Sequence, residues 1–503
     1  MTTSLPQEVE LKLALPSDRV DAFLARMARR RTQPGKHVLH TRYYDTPDFE
    51  LGAAGIALRV RRAGRRWLQT LKTEGERQGG LSRRLEFEMA VARGALDWSR
   101  FPAEALAYVP AACRERLVPV FETRFERLAW TLSGRGGARI EVALDRGEVR
   151  AGEAGEPICE IELELKAGRP DALFDLAIVW ATDFGCLPND ESKAARGARL
   201  ARGAGPAPTR ADAPALDPAG SVEAAFAVLC RDALAQVQAN LPGALAGDDP
   251  EYLHQTRVAL RRLRATLRVF RPACVLPPEL LDGLRALADA LGPVRDWDVL
   301  CLETLPAIAP HAPDPAEWQA GMAVLAARRE AAAVAMRTQV AMAPPGVWLL
   351  ACQRWLLRRG WRDVPEAQRR LQLSPLADRA RAALRKGDRP IRHAAKRFAV
   401  LPAEARHRLR IRIKRQRYAL ESLLACYPGR AHARYLATLR AMQNALGRVN
   451  DARVATELLM PGRAALGGMG MFALGWLASR EAEPEVGENA KHLKNFVKSA
   501  IDW

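Results

Sequence analysis

The sequence predicts an α+β chain: an N-terminal eight-stranded antiparallel β tunnel barrel with flanking helices, followed by an all-α region of two duplicated helical bundles. Three observations predict it. Short runs of alternating charged and apolar residues recur about eight times before residue 167. Pro and Ala then displace large apolar residues between about Arg202 and Gly220. Beyond that stretch, cations recur at helical steps in two separate places. The expected division is 1–201 for the barrel, 202–218 for a semi-extended tether and 219–503 for the helices.

The first run is Glu8-Val9-Glu10-Leu11-Lys12. Side chains alternate faces along a strand, so Glu8, Glu10 and Lys12 share one face and Val9, Leu11 and Leu13 the other. Glu160-Ile161-Glu162-Leu163-Glu164-Leu165-Lys166 repeats the device. Between them, Arg59 pairs by parity with Arg61, Arg84 with Glu86 and Glu88, and Glu141 with Asp145, while Lys72 ends the run Gln69–Lys72. His40–Asp45 and Phe121–Glu126 complete the set. Turn signals fall at Gly64, Gly79 with Gly80, Gly136 with Gly137, and Gly152 with Gly155. One such strand is a half-solvated surface. Eight of them fit a closed barrel whose apolar side is covered by helices near Asp18–Arg30 and Asp171–Asp183, with the ionic side facing the lumen. Glu141 and Glu160 stay open between lumen and surface, and His37 and His40 read as strand or loop residues.

Ions in a narrow lumen must pair with each other or with a ligand, because an unpaired buried charge costs several kcal/mol. Clustered carboxylates are ligands for hard cations such as Mg²⁺ or Mn²⁺, and Arg and Lys donate to phosphate oxygens. A lumen with both suits a metal-bound chain of phosphates.

Composition sets the remaining bounds. At 503 residues and 48% hydrophobic content the chain has room for two or three globular domains. The 8 cysteines include no Cys-x-x-Cys pair, which argues against a zinc site or disulfide framework. No run approaches the roughly 18 apolar residues of a membrane span, and the N-terminus lacks a signal-peptide core, so a cytoplasmic location without membrane contact is expected. The formal net charge of +19 is compatible with a polyanionic partner, but placement of the cations has to decide it.

Seven motifs, in order, carry a resemblance: Glu8-x-Glu10-x-Lys12, Tyr43-Tyr44-Asp45-Thr46-Pro47, Ala57-Leu58-Arg59-Val60-Arg61, Thr70-Leu71-Lys72, Arg84-x-Glu86-x-Glu88, Glu162-x-Glu164-x-Lys166 and Ser192-Lys193-Ala194. Residues 5 to 200 resemble the CYTH superfamily of triphosphate tunnel metalloenzymes. The resemblance implies an eight-stranded tunnel that hydrolyses or cyclises a triphosphate with Mg²⁺ or Mn²⁺. It implies metal ligation by Glu8, Glu10, Glu162 and Glu164, and phosphate clamping by Lys12, Arg59, Arg61, Arg84, Arg124 and Lys166. Lys72, Lys193, Glu86, Glu88 and Asp145 are the implied catalytic groups.

In the second half, His254, Arg257, Arg261, Arg264 and Arg268 recur at steps of three and four, flanking the stripe Leu253, Thr256, Leu260, Leu263 and Leu267. His407, Arg410, Lys414 and Arg417 repeat those steps beside Leu409, Ile413 and Leu420, with Gln416 where the first copy has Leu263. Leu291–Asp296 and Leu446–Asp451 match at nearly the same offset, which indicates an internal duplication. Asp296 and Asp451, read as following Leu-Gly turns, either orient the cations or cap the next helix. This half resembles the CHAD domain, which implies polyphosphate binding through His254, Arg257, Arg261, Arg264, His407, Arg410, Lys414 and Arg417.

The leading expectation is an inorganic triphosphatase that recruits long-chain polyphosphate, located in the cytoplasm at polyphosphate granules. Adenylate cyclase or thiamine-triphosphatase activity in the same tunnel stays open, as does a non-catalytic granule-binding protein. Nucleic acid is disfavoured because the basic helices carry few aromatics for base stacking.

Overall fold

The computed structural model describes residues 7–30, 32–92, 94–247, 249–482, 496 and 501. The chain forms two compact units: Met1–Ala207 together with Ala343–Arg358, and Pro208–Met342 together with Arg359–Trp503. Residues 343–358 thus belong with the barrel, a departure from the expected division.

The first unit contains one sheet of ten strands: β1 (Gln7–Ala14), β2 (Gly35–Asp45), β3 (Ala57–Ala63), β4 (Arg66–Lys72), β5 (Glu76–Gln78), β6 (Leu81–Val91), β7 (Val118–Ser133), β8 (Arg139–Ala151), β9 (Ala154–Ala167) and β10 (Leu187–Pro188). Their order is β10-β1-β9-β8-β7-β2-β3-β4-β6-β5, and a further antiparallel pairing of β1 with β6, from Gln7↔Leu85 to Leu11↔Leu81, closes eight of them into a barrel. All eight runs read from the sequence are barrel strands; β5 and β10 are short additions at its rim.

The apolar outer face is covered as the alternation requires. Leu11, Leu13, Ile140, Val142, Leu144, Ile161 and Leu163 lie under the helices Val20–Ala28 and Asp171–Phe184. Phe23 meets Trp130, Trp180 and Phe184 edge-on at 5.3–6.1 Å, an arrangement favoured by the aromatic quadrupole. A second apolar cluster around Leu58, Leu71, Phe87 and Phe101 covers β3, β4 and β6. The helix Lys193–Ala201 starts at the Ser192 N-cap, whose hydroxyl accepts from the Ala195 amide, and packs Gly197 directly against the Phe121 ring.

Residues 204–217 carry no regular structure. In the second unit the basic helix Pro250–Phe270 buries Leu253, Thr256, Leu260 and Leu263 as its stripe predicts. Its counterpart Ala403–Ser422 buries Leu409, Ile413, Gln416 and Leu420. Gln416 is accommodated because its amide donates to the Leu384 carbonyl at 3.0 Å. The Leu-Gly pairs are not turns: Leu291–Asp296 lies inside the helix Pro278–Asp298, and Leu446–Asp451 inside Arg430–Leu459. Arg257 packs beside Gly292, its guanidinium 3.5 Å from where a Cβ would stand, an ordinary contact distance. Among the described residues no helix is long and apolar enough to cross a membrane.

Candidate active site and a second basic groove

The barrel lumen is a cavity of about 660 Å³ lined by charged residues from β1, β3, β4, β6, β7, β8 and β9 and by Lys193. Register brings them together. Arg127 is opposite Asp145, Asp145 opposite Glu160, Lys12 opposite Glu162, Glu10 opposite Glu164, Glu8 opposite Arg84 and Lys72 opposite Glu86. Register thus sets Arg127, Lys12, Arg84 and Lys72 against Asp145, Glu162, Glu8 and Glu86, and brings acids face to face at Asp145–Glu160 and Glu10–Glu164.

Three groupings result. In the first, the Lys193 ammonium lies 2.6 Å from Asp145, 2.5 Å from Glu160 and 2.9 Å from Glu162. Arg127 donates to both oxygens of Asp145, at 2.7 and 2.6 Å, and also to Glu162. Lys12 stands 3.4 Å from Glu162 and 3.7 Å from Glu160. Asp145, Glu160 and Glu162 are close enough to share one ion, and Lys193 bridges all three. Burial opposes charge on Lys193, but the three carboxylates outweigh it and raise the ammonium above its ordinary value. Burial likewise pushes Glu162 up, yet Lys193, Arg127 and Lys12 hold it well below the carboxylate range.

In the second grouping Arg84 bonds Glu8 at 2.9 Å and Glu10 at 2.6 Å, while Lys72 bonds Glu8 at 2.8 Å and Glu86 at 3.1 Å. Thr70 donates to Glu88 at 3.1 Å. In the third, Glu164 contacts Lys166 at 2.6 Å, and its carboxyl is raised by burial and by Glu8 and Glu141 against the pull of Lys166.

Arg61 has no ion pair among the described residues; its Nε donates to the Thr41 hydroxyl at 3.3 Å. Burial first, then Arg59 and Arg127, brings its guanidinium down to about 10. Arg59 reaches Glu86 at 3.5 Å, and although burial opposes its charge, Tyr43, Glu86 and Glu88 outweigh it and raise the guanidinium. The lumen thus contains self-neutralised pairs beside Arg61, which has little anionic compensation.

Of the expected residues, Glu8, Glu10, Lys12, Arg59, Arg61, Lys72, Arg84, Glu86, Glu88, Glu162, Glu164, Lys166 and Lys193 line this cavity. Asp145 is fully buried within the Lys193 grouping. Arg124 is a correction. Its side chain is 57% exposed and pairs with Glu122 at 2.9 Å, because parity along β7 turns Phe125 and Arg127 inward and Arg124 out. Arg127 was missed although the same period of two identifies it. Glu160, which the alternation alone left open, is interior, and Glu141 lines the cavity. His40 is half-exposed, 2.7 Å from Glu122.

The helical unit holds a groove of about 480 Å³ lined by Arg257, Arg261, Arg264 and Arg268 from one helix and Lys414, Arg415 and Tyr418 from its counterpart. Acids are scarce here. Arg261 donates to the Tyr418 hydroxyl at 2.8 Å, and Arg257 to the Ala288 carbonyl at 3.2 Å. Burial, reinforced by Arg261, Arg410 and Arg257, lowers the Lys414 ammonium to about 8. Burial and then Asp451 raise Asp296, with Arg257 opposing. The His254 Nδ1, Arg257 Nε and Arg410 Nε are buried without hydrogen-bond partners among the described residues. His407 is exposed, and Arg417 is engaged by Gln443 and Glu421 over the Tyr418 ring; like His254 and Arg410, neither lines the groove.

Comparison with known proteins agrees with both halves. Residues 6–198 match the CYTH domain and residues 229–460 the CHAD domain. Over 210 residues the chain is 32% identical to an inorganic triphosphatase of Haemophilus influenzae; the match covers 39% of this chain and spans 56% of that relative's length. The crystal structure of the CHAD domain from the plant Ricinus communis is 30% identical, with a TM-score of 0.51, over 59% of this chain and 98% of that one. The chain belongs to the CYTH and CHAD families, with a CYTH domain followed by a CHAD domain.

Proposed function

We propose that the tunnel hydrolyses a phosphoanhydride bond of inorganic tripolyphosphate with Mg²⁺ or Mn²⁺, and that the CHAD groove binds long-chain polyphosphate in the cytoplasm. The observation that carries the first part is Arg61, an undercompensated cation in an enclosed lumen beside Arg59. Both arginines are donors for phosphate oxygens. Lys72 and Arg84, now on carboxylates, can exchange those partners for phosphate and release Glu8 and Glu10. Glu8, Glu10 and Glu164 would then hold the metal, whose crowding with Glu141 a cation relieves; Glu162 is already neutralised by Lys193, Arg127 and Lys12. A bound divalent ion supplies positive charge to the non-bridging oxygens. The protein's own part is positioning and charge stabilisation, which account for almost all of the catalysis in phosphoryl transfer.

Phosphate release from tripolyphosphate, ATP and thiamine triphosphate with each metal tests this reading. We expect tripolyphosphate to be preferred, and Glu10→Ala and Lys72→Ala each to lower kcat/KM by about 10²–10³-fold. Full activity in both variants rules out the tunnel chemistry.

For the groove, the expectation concerns pH. A polyanion favours the charged form of Lys414, so affinity for polyphosphate should be highest below about pH 8 and fall as pH rises through that value. Lys414→Arg should flatten the profile, as titration calorimetry between pH 6.5 and 9.5 would reveal. Competition with RNA at two salt concentrations separates preference from general polyanion attraction.

A further inference from the structure

The helix Pro345–Leu357 lies in the chain between stretches of the helical unit, yet it belongs to the barrel unit. Leu350 is fully buried in the same cluster as Leu11, Leu13, Leu81 and Trp180. Gly346 sits so close to the Cys186 carbonyl that a Cβ there would approach it to 2.0 Å. Arg354 pairs with Asp175, and Arg358 with Asp171 at 2.9 Å.

The informative contact is Gln353, whose side chain is fully buried. Its Oε1 accepts from Gln78 Nε2 at 2.7 Å, while its own Nε2 finds no partner among the described residues. Its Cγ lies where a Cβ on Gly79 would be, 2.2 Å away, and Gly79 has a φ of +63° that disfavours any other residue. The next residue, Gly80, donates to Asp190 at 2.7 Å and accepts from the Lys12 amide at 2.9 Å. Leu81 then opens β6 opposite Leu11. This is the seam where β1 meets β6 and the barrel closes, and its inward residues are Glu8, Glu10, Lys12 and Arg84. A buried amide with one unmet donor is an expensive way to fill space. Its compensation is the fixed position of the Gln78–Gly80 turn.

We propose that Gln353 is a positioning residue for the tunnel chemistry, locking the Gln78–Gly80 turn and through it the β1–β6 register that places Lys12 and Arg84. The proposal rests on the triphosphatase reading for its kinetic half only. The test uses the full chain with Gln353→Met, which keeps length and apolar contact with Gly79 but removes the acceptor. Hydrogen exchange at the Lys12 amide should accelerate about tenfold, the effect of losing one buried hydrogen bond. kcat for tripolyphosphate should fall about fivefold with KM nearly unchanged, and the Gln78→Met/Gln353→Met double variant, which lacks the same hydrogen bond, should do no better than the single one; recovery of wild-type kcat in the double variant overturns the proposal. Wild-type exchange in Gln353→Met overturns the proposal, as does faster exchange with wild-type kcat. If the wild type turns over no triphosphate, the functional reading has failed, and exchange at Lys12 alone judges the seam.

Discussion

Lys193→Met is expected to destabilise the barrel unit by about 3–5 kcal/mol at neutral pH, the range for removing one partner of a buried ion cluster. The cause is local. The ammonium lies within 2.9 Å of Asp145, Glu160 and Glu162, all largely sheltered from water. Methionine fills similar volume but leaves three carboxylates served only by Arg127, Lys12 and Arg196. The deficit should depend on pH. In the wild type, Glu162 is held well below its unfolded value, so its contribution is present above about pH 4.5 and is lost as pH falls through the folded value. In the variant Glu162 loses Lys193, the largest cause of that lowering, and the deficit this leaves shrinks as pH falls and the carboxylates protonate. Urea unfolding at pH 5 and pH 8 should therefore show the smaller deficit at pH 5. Equal deficits at both values would refute the ion-cluster account.

Arg61→Met should behave in the opposite way. Arg61 has no acidic partner among the described residues, and Arg59 and Arg127 repel it. Removing its charge should leave stability unchanged or raise it slightly, while kcat/KM for tripolyphosphate falls about 10²-fold. A site that holds unfavourable charge in the free protein holds it for a ligand. Stability measured by urea unfolding, together with kinetics on the same preparation, checks the pairing. A variant that loses stability and activity in step would assign Arg61 to structure instead.

Much of the barrel was legible because a period of two admits one inward set once one face must be apolar. Glu8, Glu10, Lys12, Glu162 and Glu164 follow from that rule. Arg124 failed by applying a family role to a residue of the wrong parity, where Arg127 obeyed the rule. Which acid meets which cation was not legible, since cross-strand register depends on loops and on closure by β1 and β6. The duplication of the basic helices was visible in spacing, but the groove's lining was not. Arg268 and Arg415 face it, whereas His254, His407, Arg410 and Arg417 do not. Gly292 and Gly447 suggested turns because glycine weakens helices. Both lie inside long helices, and a Cβ at either position would meet no clash. The helix Pro345–Leu357 was invisible as a barrel element. Its apolar spacing suits any core, and nothing in it names the one it joins.

That excursion bears on how the protein is made. The barrel strands are complete by Ala167, but the helix that covers their closing seam emerges only with residues 343–358. At about 5–20 residues per second, the nascent barrel waits roughly 10–40 s for its last piece. During that interval the apolar surface around Leu11 and Leu81 lacks Leu350, so the unfinished chain presents a sticky patch while the ribosome is still at work. Slower translation lengthens this exposure, and a chain stalled before residue 358 is a natural client for chaperones that recognise bare hydrophobic surface.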